Sequence, residues 1–264
     1  MALDNDVMVA SEQPWLTLRG REFRSRLILG IEQYTEPKLV GQVLCAGGCD
    51  VFITTFDLEQ TKPSLLMSDL DEAVQLDDYI WIGTTSFARS RQDALLTARR
   101  LRTSYGIDIM KLDVRPSDNL PDNAQTVSAA AELIAEGFEV LPFVLPDPAT
   151  ATALQDAGCA AVRVMASPVG SGRGVDDERA VRETMGAVSI PVILEGGLGT
   201  ASQVVQAMEM GADAVLVNTA VAKAPQPAVL ADAMRYAVLS GRLAAQQSTF
   251  GASVQPPSVS GREA

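Results

Sequence analysis

The sequence contains no histidine, and this absence excludes several classes of active site. Histidine is the commonest general base near neutral pH, and Ser-His pairs, Cys-His pairs and most catalytic zinc sites depend on it. Acid-base chemistry must therefore fall to carboxylates, lysine, tyrosine or water. The three cysteines, Cys45, Cys49 and Cys159, have no metal-like pairing and fit small core residues in a reducing compartment. We expect neither a metal nor an organic cofactor.

Positive charge and long apolar runs are also scarce. The chain has 21 Lys and Arg residues against 33 Asp and Glu residues, a net charge of −12, which argues against nucleic acids and anionic membranes as partners. No apolar stretch is long enough to span a bilayer, and residues 1–14 lack the pattern of a signal peptide. The expected location is the cytoplasm, and an anionic substrate would have to be held by local backbone dipoles.

Short apolar runs alternate with longer segments of helical period along most of the chain. The eight runs are residues 27–30, 51–54, 80–83, 109–114, 139–143, 161–164, 192–194 and 214–217. This alternation is typical of repeated βα units around a parallel sheet. Eight strands in one domain favour a (β/α)₈ TIM-type barrel over a doubly wound sheet, although one miscounted strand would reverse the choice.

The predicted domain organisation is a single catalytic barrel with short flanking segments. Residues 1–17 form an N-terminal extension, residues 18–243 the barrel, and residues 244–264 a tail rich in Ser, Gln, Pro and Gly that we expect to be disordered. The connection between residues 54 and 79 is irregular, and a short helix is expected within it.

Lys111 is the lone cation in the predicted fourth strand. Burial of an unpaired ammonium is costly, so this lysine either has a carboxylate partner, is kept partly neutral for chemistry, or reaches solvent at the strand end. Asp113 lies two residues on, points to the same face, and could be that partner. A strand-borne lysine beside a carboxylate suits Schiff-base formation with a carbonyl substrate.

Glycine-rich segments follow the sixth and seventh runs, and a polar segment follows the eighth. They are residues 167–174, residues 195–200 and residues 218–220. Such loops can simply make tight turns, but glycines also let a backbone approach a ligand, and barrels often bind phosphate after strands seven and eight. Three such loops at one end of a barrel favour a phosphate site.

Glu195 ends the seventh run, where its carboxylate would project near the barrel mouth beside Lys111 and Asp113. Two carboxylates can divide proton removal and proton delivery when their environments differ. The alternative for Glu195 is a solvated loop acid.

Several segments together resemble the thiazole synthases of thiamin biosynthesis, over residues 18–242. The segment MKLD at residues 110–113 resembles the strand of that family's Schiff-base lysine. Residues 137–142, 157–162, 167–172 and 208–220 are similar to further family segments. The resemblance implies an imine between Lys111 and a sugar phosphate, and sulfur delivery by the C-terminal thiocarboxylate of a ubiquitin-like carrier protein. It also implies a homo-oligomer and sugar-phosphate contacts at five positions: Gly170, Gly196, Gly197, Asn218 and Thr219.

Departures from the family pattern occur at four strand ends. Asp113 stands where the family has Glu, and the segment 195–197 reads EGG where the family has Asp-Ala-Gly. The loops at residues 30–34 and 83–86 also differ. The resemblance therefore points to the related 2-thiosugar synthases of secondary metabolism, which resemble thiazole synthases and act on hexose phosphates.

The favoured function is thus a 2-thiosugar phosphate synthase that converts glucose 6-phosphate to 2-thioglucose 6-phosphate in antibiotic biosynthesis. Asp113 and Glu195 would move protons around the Lys111 imine. The alternatives are a thiazole phosphate synthase acting on 1-deoxy-D-xylulose 5-phosphate, a Schiff-base aldolase, and a non-catalytic phosphate-binding barrel.

Overall fold

A computed structural model describes residues 13–55, 74–116 and 119–247 of the chain. The strands are β1 (Leu16–Leu18), β2 (Arg21–Phe23), β3 (Leu27–Leu29), β4 (Val51–Thr55), β5 (Ile80–Thr84), β6 (Ile109–Leu112), β7 (Glu139–Val144), β8 (Val162–Met165), β9 (Val192–Glu195) and β10 (Ala214–Val217). The α-helices are α1 (Pro37–Gly47), α2 (Arg91–Tyr105), α3 (Asn123–Ala135), α4 (Pro148–Asp156), α5 (Glu178–Gly186), α6 (Ala201–Glu209), α7 (Thr219–Ala222) and α8 (Pro227–Gln247).

Eight parallel strands form a nearly closed barrel with helices between them. The hydrogen-bonded order is β3-β10-β9-β8-β7-β6-β5-β4. Next to the two end strands of this order, Oδ2 of Asp50 accepts hydrogen bonds from the backbone N–H groups of Arg24 at 2.6 Å and Ser25 at 2.9 Å. The side chain that precedes β4 therefore ties it to the segment that precedes β3. The predicted (β/α)₈ barrel is confirmed, with all eight predicted strands close to their expected positions.

Local sequence signals explain where the helices begin. Five of them start after a residue whose side chain accepts a backbone N–H of the first turn: Ser90, Asp122, Asp147, Asp177 and Thr200. Such N-caps satisfy donors that have no partner within the helix. Thr200 also forms a reciprocal capping box with Gln203.

The strands separate two apolar cores because successive side chains point to opposite faces. The outer core packs the barrel against its helices. The inner core fills the barrel itself with one set of alternate residues, including Ile53, Ile82, Ile109, Leu141 and Ile193. The β1–β2 hairpin adds Leu16, Leu18 and Phe23 to this inner core. Since the apolar filling comes from this hairpin and the lower strand positions, room for polar side chains inside the barrel lies towards the carboxyl ends of the strands.

Some elements differ from the sequence prediction or were absent from it. The β1–β2 hairpin begins within the predicted N-terminal extension, and its three-residue strands are too short to give a periodic signal. Leu76–Asp78 forms a 3₁₀ helix, while residues 56–73 of the same connection lie outside the described residues. Helix α8 continues to Gln247, four residues into the predicted tail, and residues 248–264 of the tail lie outside the described part.

Two further properties concern the described residues only. None of their helices has the length and apolar character needed to cross a membrane. All three cysteines fall within the described ranges and are free thiols.

Candidate active site

Lys111 points into the barrel because β6 alternates between its two faces. Ile109 belongs to the inner core, whereas Met110 and Leu112 belong to the outer one. Lys111 and Asp113 continue the inward face. The Lys111 side chain is only 6% exposed and that of Asp113 only 1% exposed. The lysine therefore does not reach solvent at the strand end, and its partner is the predicted carboxylate.

Glu195 joins this pair from the opposite part of the barrel. It is the last residue of β9, two positions after the inward-facing Ile193. The Lys111 Nζ atom lies 3.1 Å from Oδ2 of Asp113 and 3.3 Å from Oε1 of Glu195. The structure thus brings together the three residues for which the sequence predicted catalytic roles, and Glu195 is not a solvated loop acid.

Arg163 completes the cluster and was missed by the sequence analysis. It lies on the inward face of β8, is 1% exposed, and forms ion pairs with both Asp113 and Glu195. Its Nε donates to the backbone carbonyl of Leu141 at 2.9 Å, and its Nη2 donates to that of Leu112 at 2.9 Å. The signal was available in the sequence, because Arg163 interrupts an apolar run just as Lys111 does.

The charges of this cluster determine the ionisation of its carboxylates. Burial alone would raise the pKa of the Asp113 carboxyl, but the nearby charges of Arg163, Lys111 and Arg115 outweigh it and hold that pKa below its usual range. Arg115 contributes from the loop after β6, with Nη2 3.3 Å from Oδ2 of Asp113. Burial would lower the pKa of Arg163, but Asp113 and Glu195 raise it instead. Asp113 is therefore an anion and Arg163 a cation at neutral pH.

The loop after β5 supports the cluster from the side. Oγ1 of Thr85 accepts the Asp113 N–H at 2.8 Å and donates to the Asp113 carbonyl at 2.8 Å, which fixes the backbone at Asp113. Ser86 Oγ lies 3.4 Å from Lys111 Nζ and 2.7 Å from Thr84 Oγ1. The Thr85 hydroxyl is buried and already forms two hydrogen bonds with Asp113. Of Thr84, Thr85 and Ser86, only Ser86 therefore offers a hydroxyl close to Lys111.

A cavity of about 290 Å³ adjoins Glu195 at the carboxyl ends of β9 and β10. Its lining includes all five residues for which the resemblance implied sugar-phosphate contacts: Gly170, Gly196, Gly197, Asn218 and Thr219. Lys223, just after α7, also lines it and was not singled out in the sequence. The cavity has a glycine-rich, mostly apolar wall with a few polar groups and one cation, and its volume lies near the lower end of the usual range for small-molecule sites, about 300–1,000 Å³.

Gly196 and Gly197 are required at this wall by geometry. Both have positive φ values, +88° and +67°. A Cβ on Gly197 would lie 1.7 Å from Ser167 Oγ, and one on Gly196 would lie 2.5 Å from the Ser167 carbonyl oxygen. No other residue type fits here without displacing the β8–α5 loop. The close approach of these two loops shapes the cavity.

The loop after β3 closes over the same cavity residues. Oε2 of Glu32 accepts a hydrogen bond from Asn218 Nδ2 at 2.7 Å, and Gln33 Nε2 donates to Thr219 Oγ1 at 2.9 Å. The acceptor of the Asn218 amide, Oδ1, is buried and has no hydrogen-bond partner among the described residues. The loop after β3, which departs from the thiazole synthase pattern, therefore contacts Asn218 and Thr219, two residues for which the resemblance implied sugar-phosphate contacts.

Other candidate groups do not contribute to this site. Burial raises the pKa of Cys159 to about 12 and also raises that of Cys49, so neither is a ready thiolate. Among the described residues, no group of three His, Cys, Asp or Glu side chains is arranged to hold a metal ion. A larger cavity of about 690 Å³ lies beside Arg26 and Leu27, at the amino end of β3, and contains none of the strand-end residues discussed above.

Comparisons with known proteins agree with this arrangement. The family model described as "Thiazole biosynthesis protein ThiG" matches residues 17–258. The chain is 37% identical to the thiazole synthase of Synechococcus elongatus over 254 residues, which cover 92% of this chain and 88% of that protein. It is 36% identical to the thiazole synthase of Idiomarina loihiensis, with 92% and 96% covered.

A solved structure is more similar still. The crystal structure of the Amycolatopsis orientalis BexX/CysO complex contains a chain that is 56% identical to this one, with a TM-score of 0.89, covering 92% of this chain and 100% of that chain. Residues 17–258, the region that the family model matches, contain the lysine strand and the loops after β8, β9 and β10. The chain therefore belongs to the ThiG family of thiazole synthases, and it is a sulfur-transferring synthase of a family that reacts through a Schiff base.

Proposed function

We propose that this chain is a 2-thiosugar phosphate synthase that acts on glucose 6-phosphate. The observation that carries the proposal is the position of Lys111, whose buried amine lies within 3.3 Å of two carboxylates, one of which lines the glycine-walled cavity. A sugar phosphate whose phosphate lies against Gly196 and Gly197 would extend its carbon chain past Glu195 towards Lys111. The proposed roles, Lys111 as nucleophile and the two carboxylates as proton carriers, rest on the chemistry of these groups and on their distances together.

The first steps convert the aldehyde into a carbonyl at the adjacent carbon. The Lys111 amine adds to C1 of the open-chain sugar and water leaves, which gives an iminium ion. A carboxylate removes the C2 proton, and the electron pair of that bond forms a C1=C2 double bond while the iminium electrons return to nitrogen. Return of a proton to C1 and loss of the C2 hydroxyl proton give a ketone at C2.

Sulfur then enters at C2 from a carrier thiocarboxylate. The sulfur attacks the ketone carbon, and the acyl group then moves from sulfur to the C2 oxygen. The carrier leaves as its carboxylate, so sulfur replaces oxygen at C2. Loss of the carboxylate leaves a C2=S double bond. Removal of a proton from C1 and return of protons to C2 and sulfur restore the C1=N iminium ion, and water then hydrolyses it to release the product and the Lys111 amine. The net change replaces the C2 hydroxyl by a thiol and the carrier thiocarboxylate by a carboxylate, so no external oxidant or reductant is needed.

A ubiquitin-like carrier protein is the proposed sulfur source and macromolecular partner. The family resemblance implies such a carrier, and the similar Amycolatopsis orientalis chain was crystallised with a second protein, CysO. CysO is therefore the first carrier to test. We also propose that the enzyme is a homo-oligomer, as the family resemblance implies, and that it acts in the cytoplasm, the location expected from the sequence.

Two features favour a hexose phosphate over the pentulose phosphate of thiazole synthesis. Glu32 and Gln33 lie over Asn218 and Thr219, and Ser86 lies beside Lys111, which provides polar groups for additional hydroxyls. The chain is also 56% identical to the chain from the BexX/CysO complex but only 37% identical to the thiazole synthase of Synechococcus elongatus. It is therefore more similar to a protein that is not named a thiazole synthase than to one that is. Thiazole phosphate synthesis stays the second candidate, because the curated relatives carry that name.

The test is a reconstitution with CysO prepared as its C-terminal thiocarboxylate. We expect glucose 6-phosphate to give a product heavier by the difference between sulfur and oxygen, with one CysO carboxylate formed for each product molecule. CysO prepared as the carboxylate is the control and should give none. Turnover of a sugar phosphate with either form would indicate an aldolase. A product only from 1-deoxy-D-xylulose 5-phosphate and a glycine-derived imine would indicate a thiazole synthase.

A further inference from the structure

We infer that Arg163 gives the two carboxylates different roles. Asp113 remains an ion that positions Lys111, while Glu195 carries the proton. Arg163 is then a positioning residue and Glu195 the catalytic acid-base. This inference rests on the proposed imine at Lys111, but not on which sugar phosphate forms it.

Arg163 forms an ion pair with one oxygen of each carboxylate, so the other oxygen of each can face Lys111. Its Nη2 pairs with Oδ1 of Asp113 and its Nη1 with Oε2 of Glu195. The oxygens that remain, Oδ2 of Asp113 and Oε1 of Glu195, are the ones nearest Lys111 Nζ. A guanidinium does not deprotonate in proteins, so Arg163 orients the two acids without exchanging protons itself.

The two remaining oxygens have different surroundings. Oδ2 of Asp113 is also paired with Arg115, and its side chain is 1% exposed. Glu195 has no second arginine among the ion pairs of the described residues, its side chain is 9% exposed, and it lines the 290 Å³ cavity. Of the two carboxylates, only Glu195 therefore combines an oxygen that no arginine of the described residues pairs with, a place in the cavity wall and fewer cationic partners.

The charges of the cluster also balance without the lysine. Arg163 and Arg115 offset Asp113 and Glu195, so Lys111 can react as an uncharged amine without leaving a buried carboxylate uncompensated. A buried lysine that is not needed as a counter-ion is available as a nucleophile.

The proton step assigned to Glu195 is the one that follows imine formation. Oε1 takes the proton from C2, the electron pair of the C–H bond becomes the C1=C2 bond, and the iminium electron pair moves to the lysine nitrogen. Glu195 then returns the proton to C1. In D₂O the proton held by Glu195 exchanges with solvent, and reversal of the first transfer returns a deuteron to C2. Deuterium at C2 of recovered substrate therefore reports the step without any sulfur carrier.

The experiment measures borohydride trapping and C2 deuterium exchange of glucose 6-phosphate side by side. We expect Glu195→Gln to keep trapping within a few-fold of wild type and to lose exchange by about 10²-fold or more, the usual contribution of a general acid-base. Asp113→Asn should slow trapping, with exchange reduced in proportion. The inference would be overturned if Asp113→Asn lost exchange but kept normal trapping while Glu195→Gln kept normal exchange. Asp113 would then be the proton carrier and Glu195 the positioning ion.

The role of Arg163 is tested by Arg163→Lys and Arg163→Met. The lysine variant keeps the charge but cannot hold both carboxylates as a fork, so we expect exchange to fall more than trapping does and the acidic limb of its pH profile to move to higher pH. Arg163→Met should show a larger change in the same direction if it folds. Arg99→Met, which removes an arginine between α2 and α3, is the control and should match wild type.

An unchanged pH profile and an unchanged exchange-to-trapping ratio in Arg163→Lys would overturn the positioning role. Absence of trapping by the wild-type enzyme with both glucose 6-phosphate and 1-deoxy-D-xylulose 5-phosphate would instead contradict the proposed Schiff base at Lys111. If only the pentulose phosphate is trapped, the same comparison is made with the exchange of its C3 hydrogen, and the hexose assignment alone fails.

Discussion

The Lys111 Nζ atom lies 3.3 Å from Oε1 of Glu195, although the two residues come from β6 and β9 on different sides of the barrel. This contact joins the nucleophile to the glycine-walled cavity, because Glu195 lines that cavity and Lys111 does not. A substrate held in the cavity must pass the carboxylate before it reaches the amine. The proposed reaction follows that order of contacts.

Replacement of Lys111 by Ala should abolish the covalent adduct that borohydride traps with sugar phosphate, because among the described residues no other lysine pairs with the two carboxylates. Intact mass spectrometry and peptide mapping measure the adduct. Lys223→Ala is the matched control: this second lysine lines the cavity, so its loss should weaken phosphate binding but leave the adduct in place. An adduct in Lys111→Ala would exclude Lys111 as the nucleophile.

Replacement of Gly197 by Ala should impair phosphate binding and lower the free energy of unfolding. The new Cβ would overlap Ser167 Oγ and force a side chain into a backbone with φ of +67°, a strain of about 1–3 kcal/mol. Thermal unfolding and inorganic phosphate titration measure the two effects. Gly186→Ala is the control, since nothing lies within 4 Å of its Cβ, and stability there should stay the same or rise by up to about 1 kcal/mol. Equal behaviour of the two variants would contradict the close packing at Gly197.

The depressed pKa of Asp113 predicts how stability depends on pH. A carboxyl whose pKa is lower in the folded state stabilises the protein above its unfolded value, near 3.8, and this contribution is lost as the pH falls through the folded value. We expect Asp113→Asn to cost about 3–5 kcal/mol near pH 7, because Arg163 loses a buried partner. Unfolding measured at several pH values should show that the difference from wild type shrinks below about pH 4. A constant difference down to acidic pH would contradict the ionised Asp113.

Replacement of Glu32 by Ala should raise the KM for glucose 6-phosphate, since the Asn218 amide, which lines the cavity, loses the charged partner that orients it. A hydrogen bond to a charged group contributes about 1.5–3 kcal/mol, which corresponds to a KM increase of roughly 10- to 100-fold. Glu36→Ala, an exposed acid that does not cap α1 with its side chain, is the control and should leave the KM unchanged. Steady-state kinetics that show equal KM values for both variants would exclude Glu32 from substrate recognition.

The sequence predicted the barrel and the proximity of Lys111, Asp113 and Glu195 because both depend on short-range patterns. Period-two alternation and the βα order identify the strands, and the carboxyl ends of parallel strands necessarily meet at one end of a barrel. Lys111, Asp113 and Glu195 could therefore be brought together without coordinates. The shared cavity wall of Gly170, Gly196 and Gly197 followed in the same way, and its binding of phosphate stays a prediction.

The remaining features depend on contacts that no local pattern encodes. Arg163 acts on both carboxylates only because β8 lies between β7 and β9 in the barrel and its side chain reaches across the interior. Glu32 meets Asn218 only because β3 and β10 are neighbours in the sheet, although the residues are 186 positions apart. The β1–β2 hairpin is too short for periodicity to detect, although it packs Phe23 into the inner core.

The most direct test of the proposed function is intact mass spectrometry after borohydride treatment, with glucose 6-phosphate and 1-deoxy-D-xylulose 5-phosphate compared in parallel. The account predicts a reduced hexose-phosphate adduct that maps to the peptide containing Lys111. An adduct that forms only with the pentulose phosphate would contradict the thiosugar assignment and indicate thiazole synthesis.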